Sequence, residues 1–75
     1  AEPSFDLIAI DEALETLTRQ DKRAASAVEL CYFGGLSGRE IAEALGISEA
    51  TVERDLRFAR SWLKRELTGD KEVGS

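Results

Sequence analysis

Seventy-five residues, 43% hydrophobic and 33% charged, have the balance of one small globular domain rather than of a disordered chain. A chain this short leaves little room for a catalytic cleft, and no apolar run approaches the roughly 18 to 20 residues that cross a bilayer, so no membrane contact is expected. The net charge of -5 counts against a self-sufficient nucleic-acid binder, because such proteins are usually basic.

Cys31 is the single cysteine and there is no histidine, which rules out an internal disulfide and leaves a zinc site almost without ligands. No cofactor or metal is expected, and nothing resembles a signal peptide. A reducing, cytoplasmic setting fits. The chain begins at Ala1 without an initiator methionine, which points to a fragment of a longer protein.

In chain order, residues 1–5 read as an unstructured lead-in, with Pro3 and Ser4 as breakers. A first helix is expected over about 6–18. Leu7, Ile10, Leu14 and Leu17 recur at i, i+3, i+7 and i+10 and so share one face. Glu15 and Arg19 are spaced for an i,i+4 pair on its wet side. After a short connection, Asp21 is a good N-cap for a second helix over 21–33. Ala24, Ala27, Val28 and Cys31 form one apolar arc, extended by Ala25 and Tyr32, whereas Leu30 and Phe33 lie off it. A helix apolar on more than one side belongs in the centre of a domain. Gly34 and Gly35 end it.

The next stretch carries the densest local signals. Ser37 and Glu40 make an S-x-x-E capping box at the start of a third helix over 38–45, whose buried stripe is Ile41, Ala42 and Leu45. Gly46 follows, where a left-handed conformation closes a helix. Ile47 turns inward, and Ser48 caps a fourth helix over 49–67. Val52, Leu56, Ala59, Leu63 and Leu67 form its apolar stripe; Ala50, Arg54, Arg57, Ser61 and Arg65 lie opposite. Residues 68–75 read as a frayed tail. Four helices and no strand give an all-α domain containing a helix-turn-helix and no wing.

Charge is unevenly spread: residues 1–33 sum to -4, whereas 49–67 sum to +1. The weak positive patch lies on the fourth helix. There Arg54 and Arg57 are the first candidates for DNA, since an arginine early in a recognition helix reaches guanine N7 and O6 or clamps a phosphate. The competing reading is a solvated face on which Arg57 pairs with Glu53. Thr51 suits a phosphate, Glu53 a cytosine amino group, and Ala50 lies on the same exposed side. Arg39, early in the third helix, suits the phosphate backbone. Arg60, Lys64 and Arg65 fit solubility better than contact. Leu30, Phe33, Phe58 and Trp62 are a candidate partner patch; packing of Phe58 and Trp62 against the first helix is the plainer expectation. No paired nucleophile and base and no phosphate loop supports catalysis, so the chain is not expected to be an enzyme.

Val28 to Ser37, Glu40-Ile41-Ala42, Leu45-Gly46-Ile47-Ser48, Thr51-Val52 and Arg57 to Leu63 together resemble region 4 of bacterial RNA polymerase sigma factors, most closely the extracytoplasmic-function (ECF) group. The resemblance runs over about 6–67. It implies a four-helix domain whose last helix enters the major groove of the promoter minus-35 element while other surfaces hold the polymerase beta flap, with an anti-sigma factor as a further partner. It assigns Arg39, Ala50, Thr51, Glu53, Arg54 and Arg57 to DNA in a monomer. The chain departs from the usual pattern at Glu53, commonly lysine; at Asp55, commonly basic; and at Cys31, commonly arginine. Glu49, Glu53 and Asp55 then crowd the recognition helix. Two other readings share the motif: a LuxR-type response-regulator output domain, which usually has a shorter recognition helix and one more helix, and a sigma-like module that binds proteins and has lost DNA.

Overall fold

The computed structural model describes residues 7–68. They form four helices and no strand: α1 Leu7–Gln20, α2 Lys22–Tyr32, α3 Gly38–Leu45 and α4 Glu49–Thr68. The expected lead-in and tail lie outside the described residues.

α1 continues two residues past its expected end. Thr16 and Thr18 donate back to the carbonyls of Glu12 and Leu14, at 3.1 and 2.8 Å, and so remain within the helix. The connection to α2 shrinks to Asp21 alone. Its extended backbone breaks the helix, and its carboxylate accepts from the Ala24 amide at 3.1 Å as the N-cap of α2. α2 ends where Phe33 and Gly34 both donate to the Glu29 carbonyl and Leu36 donates to that of Leu30. A side chain at Gly34 would place its Cβ 2.8 Å from the Leu30 carbonyl oxygen, so this turn admits only glycine without a shift.

α3 starts with both halves of the capping box: the Ser37 hydroxyl accepts from the Glu40 amide at 3.1 Å, and the Glu40 carboxylate accepts from the Ser37 amide at 2.8 Å. Gly46 ends it at φ 71°, with its amide and that of Ile47 donating to the Ala42 carbonyl. The Ser48 hydroxyl then accepts from the Thr51 amide at 3.1 Å and opens α4.

α2 and α4 are the central pair, and each touches all three other helices. α1 and α3 do not meet, and α1 lies along the later part of α4 near Glu66 and Leu67. One cluster forms the core: Leu14 and Leu17 from α1, Ala24, Ala25, Ala27 and Val28 from α2, Ile41 and Ala42 from α3, and Val52, Leu56 and Ala59 from α4. Ile10, Leu45, Ile47 and Leu63 pack around it, as the spacing predicts. Cys31 is half-buried against the same cluster. Five of the cluster's residues are alanines, whose small side chains permit close approach of helices.

Leu17 is fully buried at the meeting of α1 with the central pair. Leu17→Ala should remove about 2 to 5 kcal/mol of stability by opening a cavity there. Ser37→Ala should remove only about 1 kcal/mol by deleting one cap. Urea unfolding followed by circular dichroism checks both, and the order of the two midpoints is the decisive reading.

Candidate nucleic-acid interface

The capping box and the Gly46 turn fix how α4 leaves α3, and that sets which side of α4 faces out. Along its first half Val52, Asp55, Leu56 and Ala59 are buried, while Ala50, Glu53, Arg54 and Arg57 are exposed at i, i+3, i+4 and i+7. These four form one outward strip. Thr51 is half-buried at its edge, where its oxygen accepts from the Ser48 hydroxyl at 3.0 Å. Arg39 is exposed in the first turn of α3 and shares a shallow hollow with Glu49 and Gly46. Gly38, Glu49, Ala50 and Glu53 line a second one. The fold therefore brings the start of α3 beside the first two turns of α4, and six side chains that spacing singled out lie on or beside one surface.

Among the described residues, neither the Glu53–Arg57 nor the Glu15–Arg19 ion pair forms. Arg54 and Arg57 project with no charged partner, in keeping with a face left open to an anion.

Asp55 corrects the sequence-based picture of this helix. It is 6% exposed and faces α2 rather than the outward strip. Its carboxylate accepts two hydrogen bonds from Arg23 in the first turn of α2: Nε to Oδ2 at 2.6 Å and Nη2 to Oδ1 at 3.2 Å. This is the fork-to-fork geometry that makes arginine–carboxylate pairs strong and directional. The hydrogen bond first, and then the charge of Asp55, raises Arg23 above the ordinary arginine pKa. Each charge cancels the other, so the acids on the outward side of α4's first half reduce to Glu49 and Glu53, against Arg54, Arg57 and Arg39 nearby. The clue lay in the spacing: Asp55 falls three residues after Val52 and one before Leu56, in a core slot, where a carboxylate needs a partner.

A second surface lies further along α4. Ile10, Leu14, Val28, Tyr32, Phe33, Leu63 and Leu67 line an apolar groove between α1, α2 and α4, with Arg60 and Lys64 also on its wall. Arg60 Nε donates to the Tyr32 hydroxyl at 2.7 Å and ties its two sides together. Of the four residues singled out as a partner patch, Phe33 lines this groove and is 67% exposed. Leu30 and Trp62 are half-buried against the core. Phe58 stays 43% exposed and does not line the groove, because it lies outside the apolar stripe of α4. The other apolar groove residues, Ile10, Leu14, Val28, Tyr32, Leu63 and Leu67, were not named in that patch.

The model of the ECF sigma factor family matches residues 1–69. The chain belongs to that family. No curated protein and no solved structure matches it. An ECF sigma factor is an alternative sigma factor of transcription initiation, and its process involves core RNA polymerase and promoter DNA. The four-helix, strand-free structure of the described residues agrees with a region 4 domain of such a factor. None of their helices is long and apolar enough to cross a membrane.

The different settings of the two acids in this ECF sigma factor generate a direct contrast. Glu53→Ala should change stability by no more than about 0.5 kcal/mol, as at other exposed positions. Asp55→Ala should lower it by more than about 1 kcal/mol, since it removes both bonds to Arg23. Thermal unfolding of the two variants checks this.

Proposed function

We propose that this domain reads the promoter minus-35 element through the first half of α4 and docks on core RNA polymerase through the groove between α1, α2 and α4. The observation that carries the reading is the strip Ala50, Glu53, Arg54 and Arg57, which projects from a capped helix-turn-helix with both arginines unpaired. Arg54 and Arg57 reach base edges and phosphates, Thr51 and Arg39 hold the backbone, and Glu53 accepts from a cytosine amino group. The domain acts as a monomeric specificity module in the bacterial cytoplasm and carries no catalytic chemistry.

Affinity is divided between the two surfaces. Phosphate neutralisation supplies most of the non-specific attraction for DNA, and three arginines against two glutamates supply little of it. Tethering to polymerase raises the effective concentration of the domain at the promoter and makes up the difference. The groove suits an amphipathic helix that lays an apolar ridge along Phe33 and Leu63 and sets acids against Arg60 and Lys64. The beta flap is the proposed occupant, and an anti-sigma factor would compete for the same face. The alternative of a module that has lost DNA binding drew on three acids in α4; Asp55, turned toward Arg23, no longer supports it.

A library of short duplexes randomised over the element tests this. The native chain should enrich one motif. Arg54→Ala should lose preference at one or two of its positions, at about 1 to 3 kcal/mol, whereas equal loss on all sequences would make Arg54 a phosphate contact only. Phe33→Glu should weaken binding to core polymerase and leave duplex binding unchanged. The reverse pattern would assign the two surfaces the other way round.

A further inference from the structure

We propose that Arg23 and Asp55 are positioning residues for DNA reading: their fork fixes the roll of α4 against α2, and with it the direction in which Arg54 and Arg57 point. The inference rests on the proposed reading of DNA by α4.

Three observations lead to it. First, three of the four buried residues of α2 are alanines, Ala24, Ala25 and Ala27, and Ala59 is buried in α4 beside Val52 and Leu56. Such surfaces allow close approach, but apolar burial has no direction, and small residues interlock poorly. Second, the pair is the single salt bridge among the described residues, it joins positions 32 apart in the chain, and it makes two bonds whose planes must match. It therefore supplies the direction that the alanines lack. Third, Asp55 adjoins Arg54 and stands two residues before Arg57. A roll of about 20° at the roughly 6 Å radius of a helix surface moves a side chain by about 2 Å, enough to break a hydrogen bond to a base edge.

A purely stabilising role makes a different prediction. Asp55 is buried while the Arg23 side chain is 51% exposed; since apolar replacement of even a fully buried ion pair is often neutral or stabilising, the pair's value to the fold and its value to positioning can be separated. The test compares the native chain with Arg23→Met/Asp55→Leu and with the reversed pair Arg23→Asp/Asp55→Arg. Thermal unfolding shows that each is folded. Residual dipolar couplings of the backbone amides, recorded without DNA, report the roll of α4 relative to α2. Selection from the randomised duplex library reports base discrimination.

The expected result is that the apolar variant folds, shows altered or averaged couplings in α4, and loses discrimination by at least about fivefold, while the reversed pair recovers both. Native couplings in the apolar variant would overturn the proposal whatever happens with DNA. So would altered couplings with undiminished discrimination. A third contradiction would be Arg23→Met alone lowering the salt dependence of duplex binding by about one phosphate, which would make Arg23 a direct contact. If the native chain itself enriches no motif, the reading of DNA by α4 fails, and the couplings still decide whether the pair sets the helix.

Discussion

The architecture depends on burying one stripe of a 20-residue helix against three shorter ones. Val52, Leu56 and Ala59 provide that stripe, and Leu17, Val28 and Ile41 close over it from α1, α2 and α3. Since burial is nearly proportional to apolar area and carries no direction, it explains why α4 docks but not the angle at which it does. Direction comes from polar contacts at the joints: the capping box and αL glycine between α3 and α4, and the arginine–carboxylate fork between α2 and α4. The outward strip of α4 is a consequence of both. Its arginines project because the opposite side is held.

The same division explains how an acidic chain presents a usable face. Most of the net negative charge falls in residues 1–33, ahead of the helix-turn-helix, and the one acid buried in α4 is neutralised by its partner. In the proposed reading, the remaining mixture of arginines and glutamates favours selectivity over strength, because an acid beside a DNA-reading arginine would penalise every sequence that offers it no donor. On the proposed tethering to polymerase, such a domain would have little need of strong intrinsic affinity.

Much of this was legible in the amino-acid order. The four helices, both serine caps, the Gly46 turn and the core stripe follow from spacing, because each depends on residues within one or two turns of one another. Helix ends were less so: residues 18–20 look like a connection until the Thr18 hydroxyl is seen bonded to the preceding turn and α1 runs on to Gln20. The Arg23–Asp55 pair joins two helices across 32 positions, and in sequence Asp55 resembles another surface acid on a helix that already carries several. The groove was hidden for a related reason. Its walls come from three helices, so that Phe33 lines it only through the packing of α1 and α2 on α4, whereas Phe58, outside the apolar stripe of α4, does not. The outward placement of Ala50, Glu53, Arg54 and Arg57 was accessible from periodicity alone, and their link to DNA came from the motif and the family resemblance.

The central claim is that one small domain uses separate stretches of α4 for two partners, DNA at its start and polymerase further along. It is tested most directly by amide NMR of the 15N-labelled chain titrated at low salt with a duplex taken from the selected pool. The account predicts shifts concentrated at Gly38, Arg39, Ala50, Glu53, Arg54 and Arg57, with Tyr32, Phe33 and Leu63 unmoved. Shifts centred on the groove, with the first two turns of α4 undisturbed, would contradict it.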